Sequence, residues 1–312
     1  MTTLLVASTG GHLAELHDLA PRLDVGDDRC WVTFDVPQSR SLLEGEEVVH
    51  VPYATSRDLV GAFRDFVEAT KLLSRRKVSR IISTGASVAG SFFVPAAARQ
   101  IACHYIESAT RTERPSVTGR MVARIPGTHL YTQYESWADR RWRYGGSVFD
   151  AYVAEEAPRS TKVDRVVVTL GTHHKYTFPR LLKHLVRTLP PSTEVLWQVG
   201  ATSIPDMPAN AREHVPFTEL QQAMDDADVI ITHAGVGSAL TALRAGKRAI
   251  YVPRRKRYDE HVDDHQVAMA RELDSRGLVL AREANDITLA DLEEAAGWRV
   301  SANPHIPQFR LG

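Results

Sequence analysis

Short apolar runs alternate with amphipathic stretches of helical length from one end of the chain to the other. In the first half, the apolar runs predict strands at 3–7, 30–34, 48–51, 80–83, 103–106 and 130–132. The intervening stretches 12–23, 58–76 and 86–100 predict helices. In the second helix, apolar side chains recur at helical spacing and predict one buried face: Leu59, Phe63, Phe66, Val67, Leu72 and Leu73. This alternation is typical of a parallel sheet covered by helices on both faces.

The same alternation restarts in the second half of the chain. Strands are predicted at 165–169, 194–198, 229–232, 249–252 and 279–281, with helices at 179–189, 219–224, 237–245 and 261–275. The polar, aperiodic stretch 150–164 separates the halves and predicts two domains, 1–155 and 156–312. The last segment, from 289 onward, is free to pack back on the first domain. We therefore expect an α/β protein with two doubly wound, Rossmann-like domains that face each other across a ligand-binding cleft.

Composition narrows the class of protein. The 38 Lys and Arg residues balance 38 Asp and Glu residues, so the formal net charge is zero and a strongly basic nucleic-acid binder is excluded. Only two cysteines occur, Cys30 and Cys103, too few for a disulfide framework. No apolar run reaches the ~20 residues of a membrane span, and no signal peptide precedes the first strand. These features predict a reduced, cytoplasmic protein.

Two glycine turns stand at the ends of predicted strands. The first strand leads into Gly10, Gly11 and His12. A histidine there titrates near neutrality and can serve as a base, although a helix-capping role is the alternative interpretation. The strand at 229–232 leads into the turn His233-Ala-Gly-Val-Gly-Ser238 and then a helix, whose free N–H groups favour a diphosphate.

Other motifs point toward or away from specific chemistry. Basic residues 254–257 follow a strand end, where they form either a solvated turn or an anion site. His261, Asp264 and His265 are spaced to meet on one helical face, but no fourth ligand is near, so no metal site is predicted. The sequence contains no G-x-S-x-G nucleophile elbow, no G-x-x-x-x-G-K-[ST] phosphate loop and no complete dinucleotide fingerprint.

The motifs together resemble a known group of enzymes. ASTGGHLAEL and IESATRTERPSVTGR resemble the acceptor-side subunit of the two-subunit glycosyltransferases of N-glycan and bacterial exopolysaccharide assembly. LGTHHKYTF and ITHAGVGSALTALRAGKRAIYVPR, with EHVDDHQ, resemble their donor-side subunit, and both halves are similar to the MurG transferases of peptidoglycan-precursor synthesis. The resemblance covers 3–150 and 164–281. It implies a GT-B glycosyltransferase whose two halves are fused, so that no obligate partner subunit is needed.

The resemblance also implies an activity. The family is expected to transfer a sugar, with inversion, from a UDP-sugar such as UDP-GlcNAc, UDP-glucuronate, UDP-glucose or UDP-galactose. The expected acceptor is a lipid-linked saccharide at the cytosolic membrane face, and neither a metal nor another cofactor is implied. A sugar-nucleotide epimerase and a non-catalytic nucleotide-sugar-binding subunit are the alternatives. Activity of the purified chain alone separates the three.

Residue roles follow from the same resemblance, position by position. His12 matches the general base that takes the proton of the acceptor hydroxyl. The donor-binding set comprises Gly171, Thr172, His233, Gly235, Val236, Gly237, Ser238, Arg254, Arg255, His265 and Gln266. The acceptor-binding set comprises Gly10, Gly11, Glu107, Arg111, Ser116 and Arg120. One departure concerns Thr241, which stands where related enzymes place a ribose-binding Glu.

Positive charge concentrates in the acceptor half. The stretch from residue 111 to residue 143 contains seven Arg and only three acidic residues. This local excess suits a pyrophosphate-lipid head group or an anionic membrane surface. Arginines stacked on surface aromatic residues are the alternative interpretation. We therefore expect reversible, peripheral contact with anionic membranes.

Overall fold

Seven parallel strands form the sheet of the N-terminal part of the chain. The computed structural model describes residues 1–53, 58–157, 163–171 and 176–311. The sheet has the order β3-β2-β1-β4-β5-β6-β7. Its strands are β1 (Thr2–Ala7), β2 (Arg29–Phe34), β3 (Val48–Val51), β4 (Val78–Gly85), β5 (Ala102–Ile106), β6 (Thr128–Thr132) and β7 (Trp142–Tyr144). The helices of this part are α1 (Gly11–Leu19), α2 (Pro37–Leu42), α3 (Leu59–Arg75), α4 (Ser87–Ala97) and α5 (Val117–Val122).

A second parallel sheet organises the C-terminal part, in the order β10-β9-β11-β12-β13. The strands are β8 (Tyr152–Glu156), β9 (Arg165–Thr169), β10 (Glu194–Gln198), β11 (Val229–His233), β12 (Ile250–Val252), β13 (Leu280–Ala281) and β14 (Trp298–Ala302). The helices are α6 (Pro179–Thr188), α7 (Phe217–Asp226), α8 (Val236–Arg244), α9 (His265–Ser275) and α10 (Leu289–Ala296). Strands β8 and β14 form a separate antiparallel pair. The α/β class with parallel sheets is confirmed.

The glycine turns follow central strands of the two sheets. These strands are apolar in sequence because they are buried. All six residues of β1 are buried, because β2 and β4 flank it and helices cover both faces. Beyond its carboxyl end, Gly10 adopts a φ of +86°, a left-handed value that favours glycine. Helix α1 begins at the next residue. Strand β9 is likewise flanked on both sides, and Gly171, two residues beyond its end, has a φ of +78°.

The chain divides into two units, whose boundary lies five residues before the predicted one. Unit 1 contains Met1–Asp150, and unit 2 contains Ala151–His305. The shift arises because the predicted linker includes strand β8, which pairs with β14 through register partners from Trp298↔Glu156 to Ala302↔Tyr152. The aperiodic sequence concealed this strand, since its partner lies more than 140 residues away.

Of the segment from 289 onward, only the last residues belong to unit 1. Helix α10 and strand β14 are part of unit 2, whereas the chain from Ile306 onward is part of unit 1. The backbone N–H of Phe309 donates to the carbonyl of Arg22 at 2.9 Å, and that of Arg310 donates to Gly145 at 2.8 Å. The segment that packs on unit 1 therefore begins at 306 rather than at 289.

The buried face of α3 matches the predicted one only in part. Leu73 is buried as predicted, and Leu72 packs against the core, but Phe63 is 66% exposed. Asp65 and Ala69, which were not predicted, are buried. Helix α4 packs against α3, where the Ser91 hydroxyl donates to the carbonyl of Ala62 at 2.9 Å. Small and polar residues thus occupy the contact, and the aromatic side chain faces outward. Among the described residues, no helix is long and apolar enough to span a bilayer.

Candidate functional site

His12 lies at the start of α1, beside the carboxyl end of β4. Its ring nitrogen Nδ1 donates to the carbonyl oxygen of Thr84 at 2.9 Å, because a carbonyl can only accept. This bond leaves Nε2 as the basic nitrogen of the neutral ring. Burial, with the nearby positive charge of Arg111 as a further cause, lowers the pKa of His12 below its ordinary value. The ring is therefore neutral at physiological pH and able to accept a proton.

A buried carboxyl group lies behind the histidine. Glu15 is fully buried on α1, and its Oε2 lies 3.9 Å from His12 Nδ1. Its Oε1 accepts hydrogen bonds from the backbone N–H of Ala109 at 2.6 Å and from the Ser108 hydroxyl at 3.2 Å. Burial raises the pKa of Glu15 to about 8 despite these bonds, and the negative charge of Glu107 adds to the shift. At neutral pH, Glu15 therefore carries a proton.

Two predicted acceptor residues organise the loop between β5 and α5. Glu107 is buried, and its Oε2 accepts from the backbone N–H of Ser116 at 2.8 Å and from the Ser116 hydroxyl at 3.1 Å. The Ser116 hydroxyl in turn accepts from the N–H of Gly119 at 2.9 Å and caps α5. Arg120 lies exposed on the same helix, and Arg111 is half-buried. The acceptor role of these residues stays a prediction.

The first glycine turn also has a partner that the motif did not reveal. The backbone N–H of Gly10 donates to Gln38 Oε1 at 2.7 Å, and Gly10 O accepts from Gln38 Nε2 at 3.4 Å. Gly11 is the first residue of α1. Gln38 thus fixes the turn that precedes His12.

In unit 2, His233 packs between two glycine turns. A Cβ atom on Gly171 would lie 2.6 Å from His233 Cε1, and one on Gly235 would lie 2.6 Å from His233 Nε2. Both glycines are therefore required for the ring to fit. Burial, assisted by the charge of Arg254, lowers the pKa of His233 to about 3, so the ring is neutral. The Ser238 hydroxyl lies 3.4 Å from its Nδ1.

The second glycine turn, which was predicted to bind a diphosphate, leads into helix α8. Gly235 is the N-cap, Val236 is buried, and Gly237 lies in the first turn. Thr241 donates its hydroxyl proton to the carbonyl of Gly237 at 2.8 Å, which is a bond within the helix. Thr172, which we predicted to face the same ligand, lies outside the described residues.

Arg254 is a buried cation close to the first of these turns. It is 2% exposed, its Nη2 donates to the carbonyl of Leu170 at 2.5 Å, and its guanidinium lies 5.6 Å from the centre of the Phe178 ring. Burial lowers its pKa to about 10, which still leaves the group charged. Within the described parts of the chain, no carboxylate forms an ion pair with it. Buried charges are normally paired, so this cation favours an anionic ligand.

The neighbouring predicted residues have structural partners. Arg255 forms an ion pair with Glu283, and the Arg255 N–H donates to Glu260 at 2.9 Å. Gln266 is buried, and its Oε1 accepts from the backbone N–H of Arg254 at 3.0 Å. Both residues therefore hold the Arg254 turn in place, and their direct donor contacts stay predictions.

His265 belongs to a group that the sequence pattern only partly anticipated. Three potential metal-ligand atoms, one from each of His261, Asp263 and His265, lie within 4.8 Å of one another. Nδ1 of His265 is hydrogen-bonded to Asp263, and Nδ1 of His261 lies 3.7 Å from the same carboxylate. The carboxylate is Asp263 rather than Asp264, because α9 begins only at His265 and the preceding residues are not helical. Asp264 instead accepts from the N–H of Lys256 at 2.9 Å.

Several contacting residues were missed by sequence reasoning. Glu15, Gln38 and Thr84 touch predicted site residues in unit 1. For Glu15 a signal existed, since a residue three positions after His12 lies on the same helical face. Gln38 and Thr84 belong to other elements, so the sequence around Gly10 and His12 does not predict that they contact these residues.

With this geometry described, comparison with known proteins is informative. Residues 165–296 match the glycosyltransferase family 28 C-terminal domain. The NDP-glycosyltransferase YjiC of Bacillus subtilis is 28% identical over 172 residues, which cover 52% of this chain and 41% of the relative. The UDP-N-acetylglucosamine–N-acetylmuramyl-(pentapeptide) pyrophosphoryl-undecaprenol N-acetylglucosamine transferase of Polaromonas sp. is 26% identical over 199 residues, or 58% of this chain and 50% of the relative. The matches span half or less of these relatives' lengths.

Solved structures extend the likeness to almost the whole chain. MurG of Acinetobacter baumannii has a TM-score of 0.56 at 19% identity and covers 94% of this chain, with 89% of its own. The glycosyltransferase SnogD from Streptomyces nogalater has a TM-score of 0.59 at 20% identity, over 95% and 93% of the two chains. A UDP-GlcNAc 2-epimerase from Methanocaldococcus jannaschii reaches 0.58 at 13% identity, over 94% and 92%. At these identities the likeness shows the fold alone, which is GT-B.

Proposed function

On the premise that this chain is a GT-B protein with a glycosyltransferase family 28 C-terminal domain, we propose that it is an inverting glycosyltransferase. It transfers a sugar from a UDP-sugar to a lipid-linked saccharide acceptor in glycan or exopolysaccharide assembly. The donor is UDP-GlcNAc, UDP-glucuronate, UDP-glucose or UDP-galactose. The reaction is a single displacement that needs no metal ion or other cofactor.

The buried charge of Arg254 is the observation that carries this proposal. It lies within the family 28 domain, where its Nη2 contacts the carbonyl of Leu170, next to the Gly171 turn. Among the described residues the carboxylate of Glu260 acts on this guanidinium, but Glu260 forms its ion pair with Arg180. A donor diphosphate at this turn supplies a negative charge that can pair directly with Arg254. The N-terminus of α8 contributes free backbone N–H groups toward the same kind of anion.

His12 supplies the base in this reaction. Its Nε2 takes the proton of the acceptor hydroxyl while that oxygen bonds to C1 of the sugar and the bond from C1 to the diphosphate breaks. The electron pair of the broken bond leaves with the diphosphate. The Thr84 carbonyl supports this role, because it holds the other ring nitrogen in its protonated form.

The surface of α5 supports contact with a lipid-linked acceptor. Val117 and Met121 are each 63% exposed, and Arg120 lies exposed between them on the same short helix. Exposed apolar side chains beside arginines suit the interface of an anionic bilayer. The protein thus acts at the cytosolic face of the membrane, as a peripheral protein without a partner subunit.

A transfer assay tests the proposal directly. Purified protein is incubated with each radiolabelled UDP-sugar and with lipid-linked acceptors extracted from bacterial membranes. We expect label in the lipid fraction for one donor, and loss of that label in Arg254→Met. Conversion of the UDP-sugar into its epimer without transfer would favour the epimerase alternative. Tight UDP binding without either reaction would favour a non-catalytic subunit.

A further inference from the structure

We propose that Glu15 is the positioning residue of His12 and that its carboxyl group, which faces the ring from the same helix, is the counter-charge of the imidazolium when that forms. The inference rests on the proposed function for its catalytic meaning. The juxtaposition itself does not, since it consists of two side chains on one helix, three residues apart. Nothing in the sequence resemblance assigned a role to this glutamate.

The geometry gives the two oxygens of Glu15 different tasks. Oε1 is fixed by the N–H of Ala109 and the hydroxyl of Ser108. Oε2 is buried, faces His12 Nδ1 at 3.9 Å, and has no hydrogen-bond partner among the described residues. A proton on the carboxyl group therefore resides on Oε2, on the side of the histidine. The side chain cannot turn away without breaking the two bonds at Oε1.

Ionisable groups from several elements face the pair. Glu107 lies near Glu15 and raises its pKa, while Arg111 lies near His12 and lowers the pKa of the ring. Tyr105 also lies beside the pair, and burial raises the pKa of its hydroxyl well above the ordinary value, so it stays neutral. The side chain of Gln133 is a neutral neighbour that lowers the pKa of Glu15. Gly85 packs closely, since a Cβ atom there would lie 3.1 Å from His12 Cε1. A buried imidazolium would be costly in this setting unless a carboxylate compensated it.

Charge balance follows from the two protonation states. Before the reaction, neutral His12 and protonated Glu15 carry no net charge. When Nε2 takes the proton of the acceptor hydroxyl, the proton on Glu15 is released to solvent, and the pair again has no net charge. After product release, Nε2 loses its proton to solvent and Glu15 takes one up. The two groups thus titrate as a coupled pair.

Nuclear magnetic resonance of labelled histidine rings tests the pair without any substrate. The His12 resonance is assigned by its absence in His12→Asn. Between pH 6.5 and 7.5 we expect a neutral ring protonated on Nδ1, the form that Thr84 selects. We also expect a second inflection of its Cε1 resonance near pH 8, where Glu15 ionises. This inflection should vanish in Glu15→Gln.

Matched variants distinguish the effect of Glu15 on the His12 resonance from the effect of any buried carboxyl group. Asp65→Asn removes another fully buried carboxyl group of unit 1 and should keep the inflection. Glu15→Asp, which retains the acid, serves if Glu15→Gln does not fold, and should shift the inflection without abolishing it. An inflection that persists in Glu15→Gln, or is absent from the unaltered protein, would overturn the proposal.

Kinetics then connect the pair to turnover. In Glu15→Gln we expect kcat to fall about tenfold, the effect of one pKa unit in the basicity of His12, with the KM for the donor unchanged. The kcat of the unaltered protein should rise as pH passes 8, and this rise should be missing from the variant. A protein with the resonance behaviour but no transfer activity would refute the proposed function alone.

Discussion

The side-chain oxygen Oε1 of Gln266 accepts a hydrogen bond from the backbone N–H of Arg254 at 3.0 Å. Both residues are buried, and they lie twelve positions apart in the chain. The motif that resembles the donor-side subunit therefore fixes the turn that carries the buried cation. The backbone position of Arg254 consequently depends on Gln266 through this one bond.

Arg254→Met should weaken UDP binding by roughly ten- to hundred-fold, the effect of losing a charge-assisted hydrogen bond of ~1.5–3 kcal/mol. Isothermal titration calorimetry measures the change. Arg212→Met is the matched control, because Arg212 is an exposed residue of unit 2 that pairs with Glu219. Unchanged UDP affinity in Arg254→Met would remove this residue from the donor site.

His12→Ala should leave UDP binding intact and lower turnover by ~10²–10⁴, the usual effect of losing a general base. The reason is that His12 belongs to unit 1, whereas the loops predicted to bind the donor belong to unit 2. Transfer rates and calorimetry together decide the matter. His17→Ala on the same helix, where His17 lies beside Asp18, is the control. Loss of UDP binding with normal turnover would contradict the assignment.

UDP binding should persist when divalent ions are removed, since Arg254 and backbone N–H groups provide the positive charge. Calorimetry in the presence of a chelator, compared with added magnesium or manganese, measures this. A strict requirement for either ion would show that the site was misread. The group formed by His261, Asp263 and His265 would then be the first place to search, beginning with His261→Gln.

Replacing Arg111, Arg114 and Arg120 together with Ala should reduce flotation with anionic liposomes at low salt. Each basic residue near such a surface contributes about 1 kcal/mol, and salt screens the attraction. The exposed arginines of unit 2 at 165, 187 and 212, replaced together, form a control of equal charge. Flotation that is insensitive to salt and lipid charge would refute electrostatic attachment.

Asp65→Asn should stabilise the protein at pH 7.5. Burial raises the pKa of Asp65 from 3.8 to about 6, so the folded state holds this proton more tightly than the unfolded state does. The stability gained from that proton is complete below about pH 4 and is lost as pH rises through 6. We expect a gain of roughly 1–3 kcal/mol at pH 7.5 that disappears near pH 4. Urea denaturation at both pH values measures it, with Glu68→Gln, an exposed residue of the same helix, as control.

The sequence predicted most strands of the two parallel sheets, because these strands are mainly apolar runs bounded by turns, whereas β7, β8 and β14 were not predicted. The predicted strands 48–51, 165–169 and 194–198 coincide with β3, β9 and β10. The glycine turns after β1 and β11 were also found, since glycine is needed where the chain turns sharply. The local pattern of apolar residues and glycines is enough to predict buried strands and the turns that follow them.

Features that depend on distant partners were not predictable. Strand β8 pairs with β14, and Asp65 is fully buried on α3, the helix against which α4 packs. In the site, Arg255 was predicted to bind the donor, whereas its side chain forms an ion pair with Glu283, 28 residues later. Sequence spacing reports neighbours along one element, whereas these contacts join separate elements.

The pairing of β8 with β14 gives unit 2 the topology of an insertion. The first and last residues of that strand pair, Tyr152 and Ala302, are register partners, so the chain enters and leaves unit 2 at one place. The chain before β8 and the chain after Ile306 both belong to unit 1. Unit 2 is therefore an inserted unit whose two ends are adjacent. A homologous unit could replace it through two junctions, at 151 and 305, without cutting the core of unit 1.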